Sequence, residues 1–216
     1  MPGLLEDGRA KWRGKSANLG WAKRHVPIGV AASGPRALRM AGRVADVVWA
    51  CTGIGREAVA QAMELIESGA HDASRSVDDL EIWWLAVLGV GNTYESAVDD
   101  IKCTLASQMF RFTLENKAVP PHLNDSVRNL VGGFHHHVHM SPGQQNPNAK
   151  LVEDLGLTDY LAGRQAVAGT VDQCVQRIKD AASYGEHRHG SPWATRRRTL
   201  RPNACNKSWP GWGTRS

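Results

Sequence analysis

Long apolar runs, paired cysteines and a secretory signal are all missing from this 216-residue sequence. The main apolar stretch, Ile82 to Tyr94, is too short for a membrane helix, which needs about 20 residues. Met1-Pro2-Gly3 is followed at once by charged residues rather than by an apolar signal region. The four cysteines have no paired spacing: Cys51, Cys103, Cys174 and Cys205. We therefore expect no membrane span, reduced thiols and a cytoplasmic location.

Apolar residues are also scarce in residues 186–216, which contain no Val or Ile and a single leucine, Leu200. Such a composition cannot bury enough apolar surface to offset the entropy lost on ordering the chain. The same segment carries seven basic residues against Glu186, although the whole chain has a net charge of only +5. We therefore predict a near-neutral folded domain over residues 1–185 and a disordered basic tail over 186–216.

The clearest positive pattern lies between Val26 and Thr52. The apolar run Val26–Ala32 is typical of a buried strand, and Val47–Cys51 is typical of a second one. The residues between them repeat at helical spacing: Ala37, Leu38, Ala41 and Val44. This strand–helix–strand unit predicts two parallel strands joined by a helix.

The turn that leads into this helix has a composition suited to anion binding. Ser33 is expected to cap the helix, Pro35 suits its first turn, and Gly34 would let a ligand approach the backbone closely. Free amides at a helix N-terminus attract phosphate. The same three residues are typical of a tight turn that has no ligand, and their spacing alone favours that interpretation.

These residues also carry a family resemblance. The segment Ala31-Ala32-Ser33-Gly34-Pro35-Arg36, followed by Leu38, Ala41-Gly42 and Ala45-Asp46, resembles a motif of luciferase-like monooxygenases, most closely the branch that uses the deazaflavin coenzyme F420. The resemblance extends from about Trp12 to Gly185. It implies a (β/α)8 barrel, and hydride transfer between the cofactor and a small-molecule substrate. It also implies coenzyme F420 as the cofactor, with FMN as the alternative.

The resemblance further implies which residues meet the cofactor. One side of the cofactor-binding site would be lined by Ala31, Ala32, Ser33, Gly34 and Pro35. The loop after the second strand would face substrate or cofactor through Thr52, Gly53 and Arg56, although Arg56 also suits the exposed face of a helix. The early strands, which carry the acid–base residue in the family, have no counterpart here. We therefore expect a partial barrel that lacks its N-terminal strands, and we identify no catalytic residue.

The middle of the chain contains further elements. The spacing predicts an amphipathic helix over Arg56–Glu67, stopped by Gly69. The run Ile82–Leu88 is typical of one continuous strand buried on both faces. Asn92 and Glu95 have the spacing of a capping box that would open the next helix.

The later elements are less regular. Short helices are predicted over Leu123–Val131 and Leu151–Leu161. Thr170 and Gln173 form a second predicted capping box. The helix that follows would bury an apolar face made of Val171, Val175, Ile178 and Ala182.

A histidine cluster and an arginine cluster give weaker indications of a metal site and of nucleic-acid binding. His135 and His139 are four residues apart and could share a helical face, but no cysteine lies near them, so a surface or structural role is favoured over a metal site. The tail combines three consecutive arginines, Arg196 to Arg198, with several tryptophans, a composition found in surfaces that bind nucleic acid through phosphate contacts and base stacking. Without a recognised framework, a non-specific polycation is favoured over nucleic-acid binding.

Two classes of function remain open from the sequence. The first is a flavin- or deazaflavin-dependent oxidoreductase of weak or no activity. Such an enzyme could also form a homo-oligomer. The second is a non-catalytic α/β fragment whose basic tail binds anionic partners; an inactive product of a degraded gene is a third reading.

Overall fold

In a computed structural model, residues 8–21, 26–113, 119–138 and 145–184 are described. Seven strands are present in this part of the chain: β1 Arg9–Trp12, β2 Lys15–Asn18, β3 Gly29–Ala32, β4 Val47–Ala50, β5 Glu81–Trp84, β6 Val87–Val90 and β7 Ala166–Gly169. The helices are α1 Pro35–Val44, α2 Arg56–Asp72, α3 Tyr94–Thr113, α4 Asn124–Gly133, α5 Pro147–Asp154, α6 Thr158–Gln165 and α7 Val171–Ser183. The prediction of a disordered tail over 186–216 falls outside the described residues.

The strands form one antiparallel hairpin and two parallel sheets. β1 and β2 make the hairpin, β3, β4 and β5 form a three-stranded parallel sheet in that order, and β6 pairs in parallel with β7. The predicted parallel pairing across the first helix is therefore confirmed. Parallel strands joined through helices define an α/β fold.

Helices α1 and α2 cover one face of the three-stranded sheet. Leu38 and Ile66 from the helices and Val48 from β4 are fully or almost fully buried in this cluster. The two helices approach closely because glycines lie at their contact. A Cβ on Gly69 would overlap the carbonyl oxygen of Arg39, and one on Gly42 would overlap that of Ile66.

Gly69 therefore does not stop α2, as the sequence pattern predicted. The helix continues to Asp72, because the missing side chain serves helix packing rather than chain reversal.

A second core lies on β6 and β7. Ala166 and Ala168 pack among residues of α3 to α6, whereas Val167 packs with Cys174 of α7. Alternate residues of a strand face opposite sides of a sheet, so β7 is covered on both faces. This strand was missed from the sequence, because Ala-Val-Ala-Gly is short and has a single β-branched residue.

The predicted continuous strand Ile82–Leu88 is wrong in two respects. It is divided into β5 and β6, which pair with different strands. Its faces are not both buried, since Trp83, Leu85 and Leu88 are 53%, 49% and 63% exposed. An apolar run indicates burial on both faces only when a second layer is present to cover them.

Several helix boundaries also differ from the prediction. The amide of Ser96 donates to Thr93 Oγ1 and the amide of Thr93 to Ser96 Oγ, so this pair, rather than Asn92 and Glu95, caps α3. The predicted helix Leu151–Leu161 is two helices, α5 and α6. The predicted helix near Leu123–Val131 is confirmed as α4.

The capping box at the start of α7 is confirmed, with both Thr170 and Gln173 bonded as expected. The predicted burial of this helix's apolar face is wrong. Val171, Val175 and Ile178 are 65%, 45% and 54% exposed, while Cys174 is buried. A helical apolar period shows which residues share a face, and the surrounding fold decides whether that face is covered.

Candidate functional site

The candidate site lies where β3 and β4 end. These strands are parallel neighbours, with Ala32 level with Ala50, and the amide of Cys51 donates to the carbonyl of Ala32 at 2.8 Å. Their following loops must therefore emerge at the same edge of the sheet. Active sites of α/β proteins are built at this edge, from the loops that follow the strands.

The turn after β3 presents an uncapped helix N-terminus. Gly34, rather than the predicted Ser33, is the N-cap of α1, and no side chain caps the helix. Pro35 occupies the first turn as predicted, and that turn contains no acidic residue. The unpaired backbone amides and the helix dipole therefore favour an anion here.

The loop after β4 contributes a buried hydroxyl. Thr52 is 6% exposed, and its Oγ1 has no hydrogen-bond partner among the described residues. An unmet buried hydroxyl costs about 1–3 kcal/mol relative to a paired one. A ligand that accepts a hydrogen bond from Thr52 would recover this energy.

Helix α6 closes the site from a distant part of the sequence. The amides of Ile54 and Gly55 donate to the carbonyl oxygen of Arg164 at 2.8 and 2.9 Å. Gly53 has a φ of 92°, and a Cβ there would overlap the same oxygen. The loop after β4 is thus fixed against the end of α6.

These elements enclose a cavity of about 310 Å³. Its lining includes Ser33 and Pro35 from the first turn, Thr52 from the second loop and Arg164 from α6. The remaining wall comes from α1 and α2: Leu38, Ala58, Gln61, Ala62, Glu64 and Leu65. One cationic and one acidic side chain therefore border a largely apolar cavity.

Not all of the predicted site residues meet in this cavity. Ser33, Pro35 and Thr52 line it together, and Gly34 and Gly53 are buried beside them. Ala32 instead packs in the core beneath α1 and α2, and Ala31 lies on the opposite, exposed face of the sheet. The guanidinium of Arg56 lies 4.3 Å from the ring centroid of Tyr184 and does not line the cavity.

The opposite face of the same sheet carries an aromatic pair. Trp49 of β4 and Trp83 of β5 lie level with each other, and their rings stack with centroids 6.0 Å apart and an interplanar angle of 15°. They are 49% and 53% exposed. The indole Nε1 of Trp83 donates to Glu81 Oε1 at 2.8 Å.

Sequence reasoning missed Arg164, Trp49 and Trp83. The two tryptophans were recognised only as strand residues, because an uninterrupted apolar run does not mark which of its faces is exposed. Nothing in the local sequence of α6 indicates that Arg164 reaches the loop after β4.

Other candidates receive no support within residues 8–21, 26–113, 119–138 and 145–184. No group of three His, Cys, Asp or Glu side chains there is arranged to hold a metal ion. The backbone of His135 is bonded in both directions to the side chain of Asn148, at 2.8 and 3.0 Å. His139 lies outside the described residues. No helix in the described part has the length and apolar character needed to cross a membrane.

The residues present fit the phosphate end of a cofactor. The cavity offers an uncapped helix N-terminus, the unpaired hydroxyl of Thr52 and the cationic side chain of Arg164. Each of these groups donates hydrogen bonds to an anion. The volume is near the lower end of ligand pockets, about 300–1,000 Å³, so it suits part of a large cofactor rather than the whole.

Comparisons with known proteins identify the family and the fold of this chain. The family model for luciferase-like monooxygenases matches residues 1–188. The coenzyme F420-dependent tetrahydromethanopterin reductase from Methanopyrus kandleri has a TM-score of 0.56 and 19% identity, over 85% of this chain and 52% of that one. An F420-dependent secondary alcohol dehydrogenase in complex with an F420–acetone adduct has a TM-score of 0.51 and 16% identity, over 82% and 49%. The chain therefore spans about half the length of these structures, and the likeness concerns their fold.

Proposed function

Because this chain belongs to the luciferase-like monooxygenase family, we propose that it forms part of an oxidoreductase that transfers hydride between coenzyme F420, or alternatively FMN, and a small organic substrate. The observation that carries the proposal is the cavity at the ends of β3 and β4, which is lined by the unpaired buried hydroxyl of Thr52. The fold of the F420-dependent structures supports the same cofactor class.

The residues of the cavity would bind the phosphate end of the cofactor. The first-turn amides of α1 donate to phosphate oxygens, and the dipole of the helix adds about 0.3–1 kcal/mol for an anion at an exposed N-terminus. The hydroxyl of Thr52 donates a hydrogen bond to the phosphate, and the side chain of Arg164 supplies a positive charge. Glu64, on the rim, opposes the anion electrostatically.

The chemistry of hydride transfer would come from the cofactor, since flavins and deazaflavins carry that reaction. The tasks left to this chain are to bind the cofactor, orient it and exclude water from one side. No described residue is assigned to proton transfer. We propose that Ser33, Gly34 and Pro35 fix the cofactor's position relative to the sheet.

We further propose that turnover by this chain alone is weak. A barrel site is assembled from loops that follow several strands, and productive geometry depends on all of them. One helix N-terminus, one hydroxyl and one cation contribute a few kcal/mol, which corresponds to about millimolar affinity after the costs of association.

The test is an absorbance titration of the purified chain with coenzyme F420 and, separately, with FMN. Saturable binding is expected, weakened in Arg164→Met and in Gly34→Val, whose branched side chain would block close approach to the α1 amides. Glu64→Gln is the matched control with the opposite expected effect on affinity, because removing a carboxylate at the rim of the cavity should strengthen the binding of an anion. No binding of either cofactor, or equal affinities in all four proteins, would refute the proposal.

The same titration also addresses turnover. Reduced F420 is mixed with candidate aldehydes and ketones, and its reoxidation is followed. Micromolar binding with steady turnover would contradict the expectation of weak activity while supporting the reaction class.

A further inference from the structure

We propose that Trp49 provides the stacking surface for the planar ring of the cofactor, with the ring lying over Ala31 and Gly29 on the exposed face of the sheet. This inference rests on the proposed function, because it concerns the same cofactor. The family resemblance already implied that Ala31 contacts the cofactor; the new assignment is Trp49, a residue that the sequence did not indicate.

The register of the sheet supplies the first step. Ala31, Trp49 and Trp83 are level on β3, β4 and β5, so their side chains form one row across the exposed face. Trp83 covers one face of the Trp49 indole. Since β3 lies on the other side of β4, the second face of that indole points toward Ala31.

The space over β3 is the second step. Neighbouring strands lie about 4.8 Å apart, so a third ring could continue the stack at the position above Ala31. Ala31 is exposed and has only a methyl group to occupy that position. A Cβ placed on Gly29, two residues earlier on the same face, would meet nothing within 4 Å. The row therefore has two aromatic rings and an open place for a third.

The support that Trp83 gives to Trp49 is the third step. Its ring packs on Trp83, which is held by the hydrogen bond to Glu81 at 2.8 Å. A preorganised aromatic surface loses little entropy when a ligand stacks on it. Planar rings gain from offset stacking with indole, in addition to the apolar area they bury.

The distance to the phosphate cavity is the fourth step. Ala31 and Ser33 are two residues apart along β3, which corresponds to about 7 Å. Flavins and deazaflavins join ring and phosphate by a five-carbon chain, which can cross such a distance over the end of the strand. One molecule could therefore occupy both the place over Ala31 and the cavity beyond Ser33.

The experiment uses riboflavin, which has the ring without phosphate, alongside FMN and coenzyme F420. Quenching of tryptophan fluorescence and the shift of the ring's absorbance are recorded. Trp49→Leu should weaken riboflavin binding about tenfold or more, as expected for the loss of one stacking contact. Trp21→Leu removes a tryptophan that is 69% exposed in the turn after β2, and it should leave the affinity unchanged.

A second variant guards against a fold defect in Trp49→Leu. Ala31→Leu keeps both tryptophans and fills the open place, so it should also abolish riboflavin binding. Circular dichroism and the urea midpoint verify that each variant is folded. Unchanged riboflavin affinity in folded Trp49→Leu or folded Ala31→Leu would overturn the proposal.

The remaining outcomes separate this proposal from the proposed function. FMN or F420 binding that survives in Trp49→Leu and Ala31→Leu would support the function and overturn the stacking role. Riboflavin binding that depends on Trp49, without any gain from phosphate, would support the stacking role and count against the phosphate cavity. A dimer in sedimentation that dissociates in Trp49→Leu, with no ligand effect, would assign this face to a second copy of the chain and overturn the proposal.

Discussion

The backbone amide of Ile54 donates a hydrogen bond of 2.8 Å to the carbonyl oxygen of Arg164. These residues are 110 positions apart, and the bond joins the loop after β4 to the end of α6. It brings the side chain of Arg164 to a cavity whose other polar groups come from residues 33–64. The charge at the candidate site therefore depends on this backbone contact.

Gly53→Ala should disturb that contact. Gly53 has a φ of 92°, and a Cβ would overlap the Arg164 carbonyl oxygen. We expect a loss of about 2–4 kcal/mol in the free energy of unfolding, combining backbone strain with a steric clash, and weaker phosphate binding. Gly156→Ala is the control, since it has a φ of 65° but no atom within 4 Å. Equal losses in both variants would show that backbone strain alone is responsible.

Thr52→Val should stabilise the free protein. The exchange keeps the shape of the side chain and removes a buried hydroxyl that has no partner among the described residues. We expect a gain of about 1 kcal/mol in urea unfolding, with weaker binding of FMN and F420. Thr52→Ser retains the hydroxyl and should retain binding. A destabilised Thr52→Val would mean that the hydroxyl already has a partner in solution.

Gly69→Ala should destabilise the protein although alanine favours helices. Its Cβ would overlap the Arg39 carbonyl and force α1 away from α2, at a cost of about 1–3 kcal/mol. Gly132→Ala in α4 has no atom within 4 Å and should stabilise by up to about 1 kcal/mol. Urea unfolding of both variants measures the difference, and a neutral Gly69→Ala would show that the helix pair can separate freely.

The ion pair between Arg39 and Asp72 should affect stability in acid. The Arg39 side chain donates to Asp72 at 2.7 Å, and this hydrogen bond lowers the pKa of the Asp72 carboxyl below its ordinary value of 3.8. A lowered pKa contributes stability that is present above 3.8 and lost as the pH falls through the folded-state value. Urea midpoints of wild type and Asp72→Asn should therefore converge as the pH falls from 7 toward 3. A constant difference across that range would contradict the prediction.

Removal of residues 186–216 should leave the fold intact. The sequence of this segment lacks an apolar period, and its seven basic residues against Glu186 account for the whole net positive charge of the chain. A chain that ends at Gly185 should keep its circular dichroism spectrum and its urea midpoint. A lower midpoint would show that the tail contributes to the folded domain.

Local signals in the sequence determined several parts of this protein. The Val26–Thr52 pattern predicted two parallel strands and their helix, because β-branched runs, small-residue turns and a helical period act over a few neighbours. The Thr170–Gln173 capping box was predicted for the same reason. The same parallel pairing brings Ser33, Pro35 and Thr52 to one cavity, since parallel neighbouring strands end at one edge of a sheet. That these residues contact a cofactor stays a prediction from the family resemblance.

Only the tertiary structure decided the rest. Arg164 reaches the cavity through a backbone bond to Ile54, and no local pattern records a contact between residues so far apart. Gly69 reads as a helix stop in sequence but lies inside α2, because a neighbouring helix requires the missing side chain. Trp49 lies in an apolar run and Val175 in a helical apolar period, both typical of buried residues, yet both are exposed, since burial depends on which layer covers a face. The sequence specifies faces through local geometry, whereas long-range packing determines what each face contacts.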